Sequence, residues 1–224
     1  MSIVSYLENR PILTLILVVL VMLGFSINSF DITIMEARNF ITAREMIEDN
    51  NWILTTMNGE PRYQKPPLPT WLTAFSALLF GVKNLFALRL PAVLMVMVTG
   101  ISSYFLSKKL TDNTSQSLLN ALITISSLYV VVIIIEAPWD IFTHGFMLIG
   151  IYSLFRIFES KTVNWKLVIV AGTAIGLSIL SKGPISFYAL LLPFLISYGI
   201  TFHFKGIKKK ILPILVIIVL SFSI

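Results

Sequence analysis

The chain has 224 residues, of which 56% are hydrophobic and only 12% charged, and its mean hydropathy is +0.87. That composition excludes a soluble globule, because a domain of this length cannot bury so much apolar surface, and it points to a polytopic membrane protein. Cysteine is absent, which excludes disulfides, thiolate metal centres and cysteine nucleophiles. The net charge of +6 calls for no nucleic acid, since the lysines at 205–210 suit an anionic inner leaflet.

In chain order, apolar runs cover about 11–30, 68–80, 88–107, 117–135, 139–158, 165–181, 185–204 and 211 onward. The first is too long for a signal-peptide core and lacks a small-x-small cleavage site, so it reads as an uncleaved anchor. Run 68–80 is short, begins at a double proline and ends at Phe80-Gly81, which suits a helix lying along the membrane surface. The last run holds 14 residues where a span needs about 20, so the sequence reads as the front part of a longer protein.

Charge counting fixes the expected topology. If 68–80 does not cross, ten of the 17 bases share the side of the N-terminus: Arg10, Lys108, Lys109, Arg156, Lys161, Lys166, Lys205, Lys208, Lys209 and Lys210. If it crosses, only Arg10, Lys83, Arg89 and Lys182 remain there. The positive-inside rule selects the first arrangement, with six crossings before the last run and the loop at 31–87 outside. The expected domain organisation is a single transmembrane domain over 1–224.

Polar chemistry concentrates in that outer loop. Between Asp31 and Arg89 lie six acids, six bases and the rigid run Gln64-Lys65-Pro66-Pro67-Leu68-Pro69. In helical register Glu36 falls in line with Phe40, Ala43 and Ile47, so a carboxylate sits on an apolar stripe. An acid in the first turn of a helix is also favoured by the macrodipole, a purely structural reason for the same residue.

Further on, Asp140 falls in the first turn of the helix that starts near Pro138, with His144 one turn deeper on the same face. Asp140 could simply cap that helix, but the cost of an ionisable pair at this depth marks it as a functional acid. Lys182-Gly183-Pro184 carries the marks of a helix end: a cation in the last turn, then glycine, then proline. Lys65, Arg89 and Lys182 are bases on the outer side, able to hold a phosphate or to snorkel at the interface. No phosphate-cradling glycine loop, His-Glu-x-x-His zinc pattern or serine nucleophile elbow appears.

Several pieces, in order, resemble a known family: Glu36-Ala37-Arg38, Ala43-Arg44-Glu45-Met46, Trp52, Asn58-Gly59-Glu60-Pro61, Lys65-Pro66-Pro67-Leu68, Trp71-Leu72, Arg89-Leu90-Pro91, Asp140 ahead of Tyr152, and Ser181-Lys182-Gly183-Pro184. Together they resemble the membrane glycosyltransferases of the GT-C fold that use polyprenyl-phosphate sugars, family 39. That family includes bacterial aminoarabinose transferases and, more distantly, protein O-mannosyltransferases.

The resemblance implies an all-α transmembrane bundle with surface-lying helices in the first outer loop. It also implies transfer of a sugar from a polyprenyl-phosphate donor to a lipid, glycan or protein acceptor, at the outer face of the bacterial cytoplasmic membrane. Glu36 and Asp140 are then the catalytic candidates and Lys65, Arg89 and Lys182 the donor-phosphate contacts, with Asp31, Arg38, Arg44 and His144 in support. Met35 stands where the family usually has the first acid of an Asp-Glu pair, and Gln64 where an acid often precedes the Lys-Pro-Pro run. Either Glu36, Asp31 or Asp140 takes the base role, or the activity is modified or lost. The Gln64 change weakens any expectation of a divalent metal, and no other cofactor is expected. Two competing classes are a transporter that binds a lipid-linked sugar without chemistry and a scaffold subunit of a glycan assembly system.

Overall fold

The computed structural model describes residues 3–24, 27–136, 138–204 and 206–224. Along these, helices α1 Ile3–Glu8, α2 Pro11–Val19, α3 Ile34–Glu48, α4 Leu68–Phe80, α5 Leu85–Thr111, α6 Thr114–Ser126, α7 Leu128–Glu136, α8 Pro138–Glu159, α9 Trp165–Lys182, α10 Leu192–Phe202 and α11 Ile211–Ser223 follow one another. A two-stranded antiparallel hairpin, β1 Thr56–Met57 and β2 Glu60–Pro61, interrupts them between α3 and α4. The fold is all-α apart from this hairpin, as the family resemblance implies.

Among the described residues three helices are long and apolar enough to cross a membrane: Leu85–Thr111, Trp139–Glu159 and Trp165–Lys182. The run expected at 117–135 is a pair, α6 and α7, bent by 46°. Ser127 stands at the break in extended conformation, and its hydroxyl donates to the Thr124 carbonyl at 2.9 Å. The runs expected to cross at 11–30 and 185–204 form the shorter apolar helices Pro11–Gly24 and Phe187–Phe202, each containing a π-helical stretch. Both fall below the roughly 20 residues that a bilayer core asks of a straight helix. Helix α4 has 13 residues, in keeping with a surface-lying element. Lys205, one of the bases counted on the inner side, and the side chain of Glu136 lie outside the described residues.

The chain divides into two units, Met1–Phe142 and Thr143–Ile224, with the division falling inside α8. In the first unit the loop expected outside is a folded element. Helix α3 starts with a capping box: the Glu36 N–H donates to the Thr33 hydroxyl at 3.3 Å and the Thr33 N–H to the Glu36 carboxylate at 3.4 Å. Ala43 and Met46 of α3 pack on Ala74 of α4, flanked by Ile47, Trp52 and Trp71. Polar pins accompany this apolar contact. The Asn39 amide donates to Thr73 and accepts from Thr70, at 2.9 and 2.7 Å, and the Trp71 indole donates to the Trp52 carbonyl at 2.7 Å.

The hairpin turn is Asn58-Gly59, both at positive φ (56° and 77°), as a tight turn matching strand twist demands. Glu45 of α3 holds it, accepting from the Thr56 hydroxyl at 2.7 Å and from the N–H groups of Asn58 and Gly59 at 2.6 and 3.3 Å. Partial burial pushes the Glu45 pKa up. The three hydrogen bonds and the Arg44 charge outweigh it and hold the carboxyl below its ordinary 4.5.

In the second unit α9 packs against α11 through glycine: a Cβ on Gly172 would meet the Leu220 Cβ at 2.7 Å. Thr143 and Ser178 exchange hydrogen bonds, each hydroxyl donating to the other's carbonyl at 2.8 and 2.7 Å. Buried Lys210 donates to the carbonyls of Ile157, Phe158 and Ser160 and so satisfies the C-terminus of α8. Burial lowers its pKa below the ordinary 10.5, while Glu159 acts in the opposite sense.

Candidate functional site

Glu36 lies on the buried stripe of α3, as its spacing indicates, and is 1% exposed. Its partner is Arg89, 2% exposed, in the second turn of α5. The pairing is two-pronged: Arg89 Nε donates to Glu36 Oε1 at 2.8 Å and Nη2 to Oε2 at 2.7 Å. The rest of the guanidinium is taken up by backbone. Nη1 donates to the carbonyls of Ile27 and Phe30, the latter at 3.1 Å, and Nη2 to that of Asp31 at 3.4 Å.

Two residues expected to do chemistry thus occupy each other and clamp the segment leading into α3. Both oxygens of Glu36 accept from Arg89, and Oε2 accepts from the Thr33 N–H as well. Burial explains why they pair: an isolated carboxylate or guanidinium at this depth would cost several kcal/mol. Asp31 is exposed and contributes its backbone carbonyl to the clamp. Arg89 also lines an apolar cavity of about 250 Å³ with Met22, Leu23, Phe30, Val93 and Val131.

Lys65 belongs to a different place in the same unit. Its Nζ sits 5.9 Å from the centre of the Trp139 ring, and the Arg62 guanidinium carbon lies 5.7 Å from the same centre. Arg62 Nη1 donates to the Arg38 carbonyl at 2.5 Å and to the Thr42 hydroxyl at 2.8 Å, fixing β2 against α3. Burial, reinforced by the Arg38 charge, pushes the Arg62 pKa below the ordinary guanidinium value.

Arg38 is exposed and its Nη1 approaches the Met35 sulfur at 3.8 Å. A cavity of about 190 Å³ is lined by Arg38, Met57, Glu60, Pro61, Arg62 and Gln64. Beside it a water-sized space of about 10 Å³ is bounded by Thr42, Thr55, Arg62, Lys65, Thr70 and Trp139. Asp140 follows Trp139 in the first turn of α8 and is half-buried.

Arg44 pairs with Glu48 on the exposed face of α3, at 3.8 Å. In the second unit, His144 Nδ1 lies 3.2 Å from the hydroxyl of fully buried Ser186. Lys182 closes α9, followed by Gly183 at φ 79°, whose N–H donates to the Ile179 carbonyl at 2.6 Å, as the Lys-Gly-Pro run indicates. Sequence reasoning passed over Arg62, Trp139 as a ring platform, and the hairpin that carries Arg62. The Asn58-Gly59 pair was the available signal for that hairpin.

The first unit therefore holds two centres: the Glu36–Arg89 clamp and the Arg38–Arg62–Lys65 cluster, of which Arg62 and Lys65 meet the Trp139 ring.

Residues 64–224 match the family model described as dolichyl-phosphate-mannose-protein mannosyltransferase. The undecaprenyl phosphate-alpha-4-amino-4-deoxy-L-arabinose arabinosyl transferase of Wigglesworthia glossinidia brevipalpis is 28% identical over 162 residues, covering 71% of this chain and 28% of that protein. A protein of the same description from Proteus mirabilis is 25% identical over 179 residues, covering 79% of this chain and 32% of its own length. Among solved structures, ArnT from Cupriavidus metallidurans bound to undecaprenyl phosphate superposes with a TM-score of 0.77 at 19% identity, over 94% of this chain and 40% of that one. The chain thus spans about a third of the length of these curated relatives. It belongs to the dolichyl-phosphate-mannose-protein mannosyltransferase family, and it is an integral membrane protein with the GT-C fold.

Proposed function

We propose that the protein transfers a sugar from a polyprenyl-phosphate donor to a lipid, glycan or protein acceptor at the outer face of the bacterial cytoplasmic membrane. The observation that carries this reading is the placing of Lys65 and Arg62 against one ring, that of Trp139, with the acid Asp140 next in the chain. Cations there steady the phosphate as it departs with the lipid, and a half-buried carboxylate takes the proton of the attacking hydroxyl. The relatives named for undecaprenyl-phosphate-linked aminoarabinose transfer support the donor class.

In this reading Asp140 is the general base, replacing the acid lost at Met35. Lys65, Arg62 and Arg38 face the phosphate. Glu36 and Arg89 hold the frame on which α3 presents Arg38. Lys182 and His144 remain proposed contacts from the second unit.

The test is label transfer in membranes supplied with radiolabelled polyprenyl-phosphate sugars. Wild-type protein transfers label, and Asp140→Asn loses about 10²-fold or more, the usual worth of a positioned base. Equal transfer by wild type and Asp140→Asn removes Asp140 from the chemistry. Absence of transfer with every donor and acceptor supplied favours the scaffold or transporter reading instead.

A further inference from the structure

The larger cavity of the cluster, about 190 Å³, is lined from α3 by Arg38, from the hairpin by Met57, Glu60 and Pro61, and from the segment that follows by Arg62 and Gln64. Its chemistry is mixed. The two guanidinium groups only donate, the Glu60 carboxylate only accepts, and the Gln64 amide does both. Met57 and Pro61 add apolar surface. Among the described residues the side chains of Glu60 and Gln64 have no hydrogen bond or ion pair, and Arg62 engages only its Nη1.

That set of groups discriminates among occupants. An anion filling the cavity would meet the Glu60 carboxylate, and a hydrocarbon tail would desolvate four polar side chains without satisfying them. A polyhydroxyl ring suits all of them. Each hydroxyl donates to the carboxylate or the amide oxygen and accepts from a guanidinium, while the C–H face of the ring rests on Met57 and Pro61.

The position of the cavity agrees with its chemistry. Arg62 borders both this cavity and the water-sized space that Lys65 and Trp139 also bound. Trp139 is 2% exposed and its indole N–H has no partner among the described residues, so a phosphate there meets a further donor. One phosphodiester, with its two free oxygens, is enough for the Arg62 edge and that N–H together. A donor carries its sugar one oxygen away from the phosphorus, which brings the ring within reach of the cavity on the other side of Arg62.

We infer that this cavity seats the sugar of the lipid-linked donor, with Glu60 and Gln64 reading its hydroxyls. This rests on the proposed polyprenyl-phosphate chemistry and deepens it: the ligand is a hydroxylated monosaccharide ring, and the hairpin is the element that selects it.

The test uses the purified full chain in nanodiscs and compares probes of equal charge. Undecaprenyl methyl phosphate is a diester without a ring; undecaprenyl-phosphate glucose, galactose and arabinose carry one. Wild type binds at least one sugar-bearing probe about tenfold more tightly than the methyl diester, the scale of one hydrogen bond to a charged group. Glu60→Ala removes most of that advantage and Gln64→Ala part of it, and neither weakens binding of the methyl diester. Lys65→Gln weakens binding of both kinds of probe alike, and Lys83→Gln, on the exposed surface, changes neither. Equal affinity of wild type for the methyl diester and every sugar-bearing probe overturns the inference while the donor class stands. So does an advantage that survives undiminished in folded Glu60→Ala and Gln64→Ala proteins. Failure to bind any probe, the methyl diester included, overturns the donor class as well.

Discussion

Replacing Glu36 by Gln separates a frame role from a chemical one. The substitution keeps the shape but removes the charge that faces Arg89 through bonds of 2.8 and 2.7 Å at 1–2% exposure. Removing one partner of a buried pair costs about 3–5 kcal/mol. Here the guanidinium keeps the carbonyls of Ile27, Phe30 and Asp31, which solvate it in part, so the lower end, about 3 kcal/mol, is expected. At roughly 2–4 °C per kcal/mol for a chain of this size, the apparent Tm falls by roughly 10 °C. Thermal unfolding in nanodiscs, followed by tryptophan fluorescence, reads it. The double variant Glu36→Gln/Arg89→Gln loses less than the sum of the singles by about 1–3 kcal/mol, because the pair acts as a unit. A Glu36→Gln protein with unchanged Tm that binds lipid phosphate but transfers no sugar would refute this reasoning and return Glu36 to the reaction.

Four further outcomes are expected. Lys65→Gln weakens binding of undecaprenyl phosphate about tenfold while Tm holds, since Lys65 has no ion-pair partner among the described residues; titration in nanodiscs checks it. Asn58→Ala strains the turn at φ 56° and loosens the hairpin that carries Arg62, seen as faster amide exchange at residues 56–61. The Glu45 carboxyl, held below 4.5, stabilises the hairpin above that pH, and the contribution is lost as pH falls through its lower folded value. Amide exchange at Asn58 and Gly59, corrected for intrinsic rates, should show that loss of protection in wild type and none in Glu45→Gln. Lys210→Met strips the donor from three carbonyls at the end of α8 and lowers Tm by several degrees, a change that unaltered unfolding would contradict.

Much of the architecture was legible because hydropathy and charge act locally. The apolar runs become helices at nearly the expected places, and α9 ends where Lys182, Gly183 and Pro184 end it. The bend at Ser127 and the π-helical stretches were not legible, because an apolar run looks the same whether its helix is straight or broken. At the site, spacing identified Glu36 as buried without identifying its partner. Arg89 lies 53 residues away, so which cation meets which acid depends on how α3 and α5 pack.

By itself the sequence determined the membrane class, the helix ends and the loop where polar chemistry concentrates, since each follows from residue type and short-range periodicity. Tertiary structure decided which charges are spent on one another and which stay available. Glu36 and Arg89 neutralise each other in the interior, whereas among the described residues Arg38, Arg62 and Lys65 have no carboxylate within ion-pair distance. The physical reason is that an ion pair's worth depends on burial and distance, and neither is a property of position along the chain.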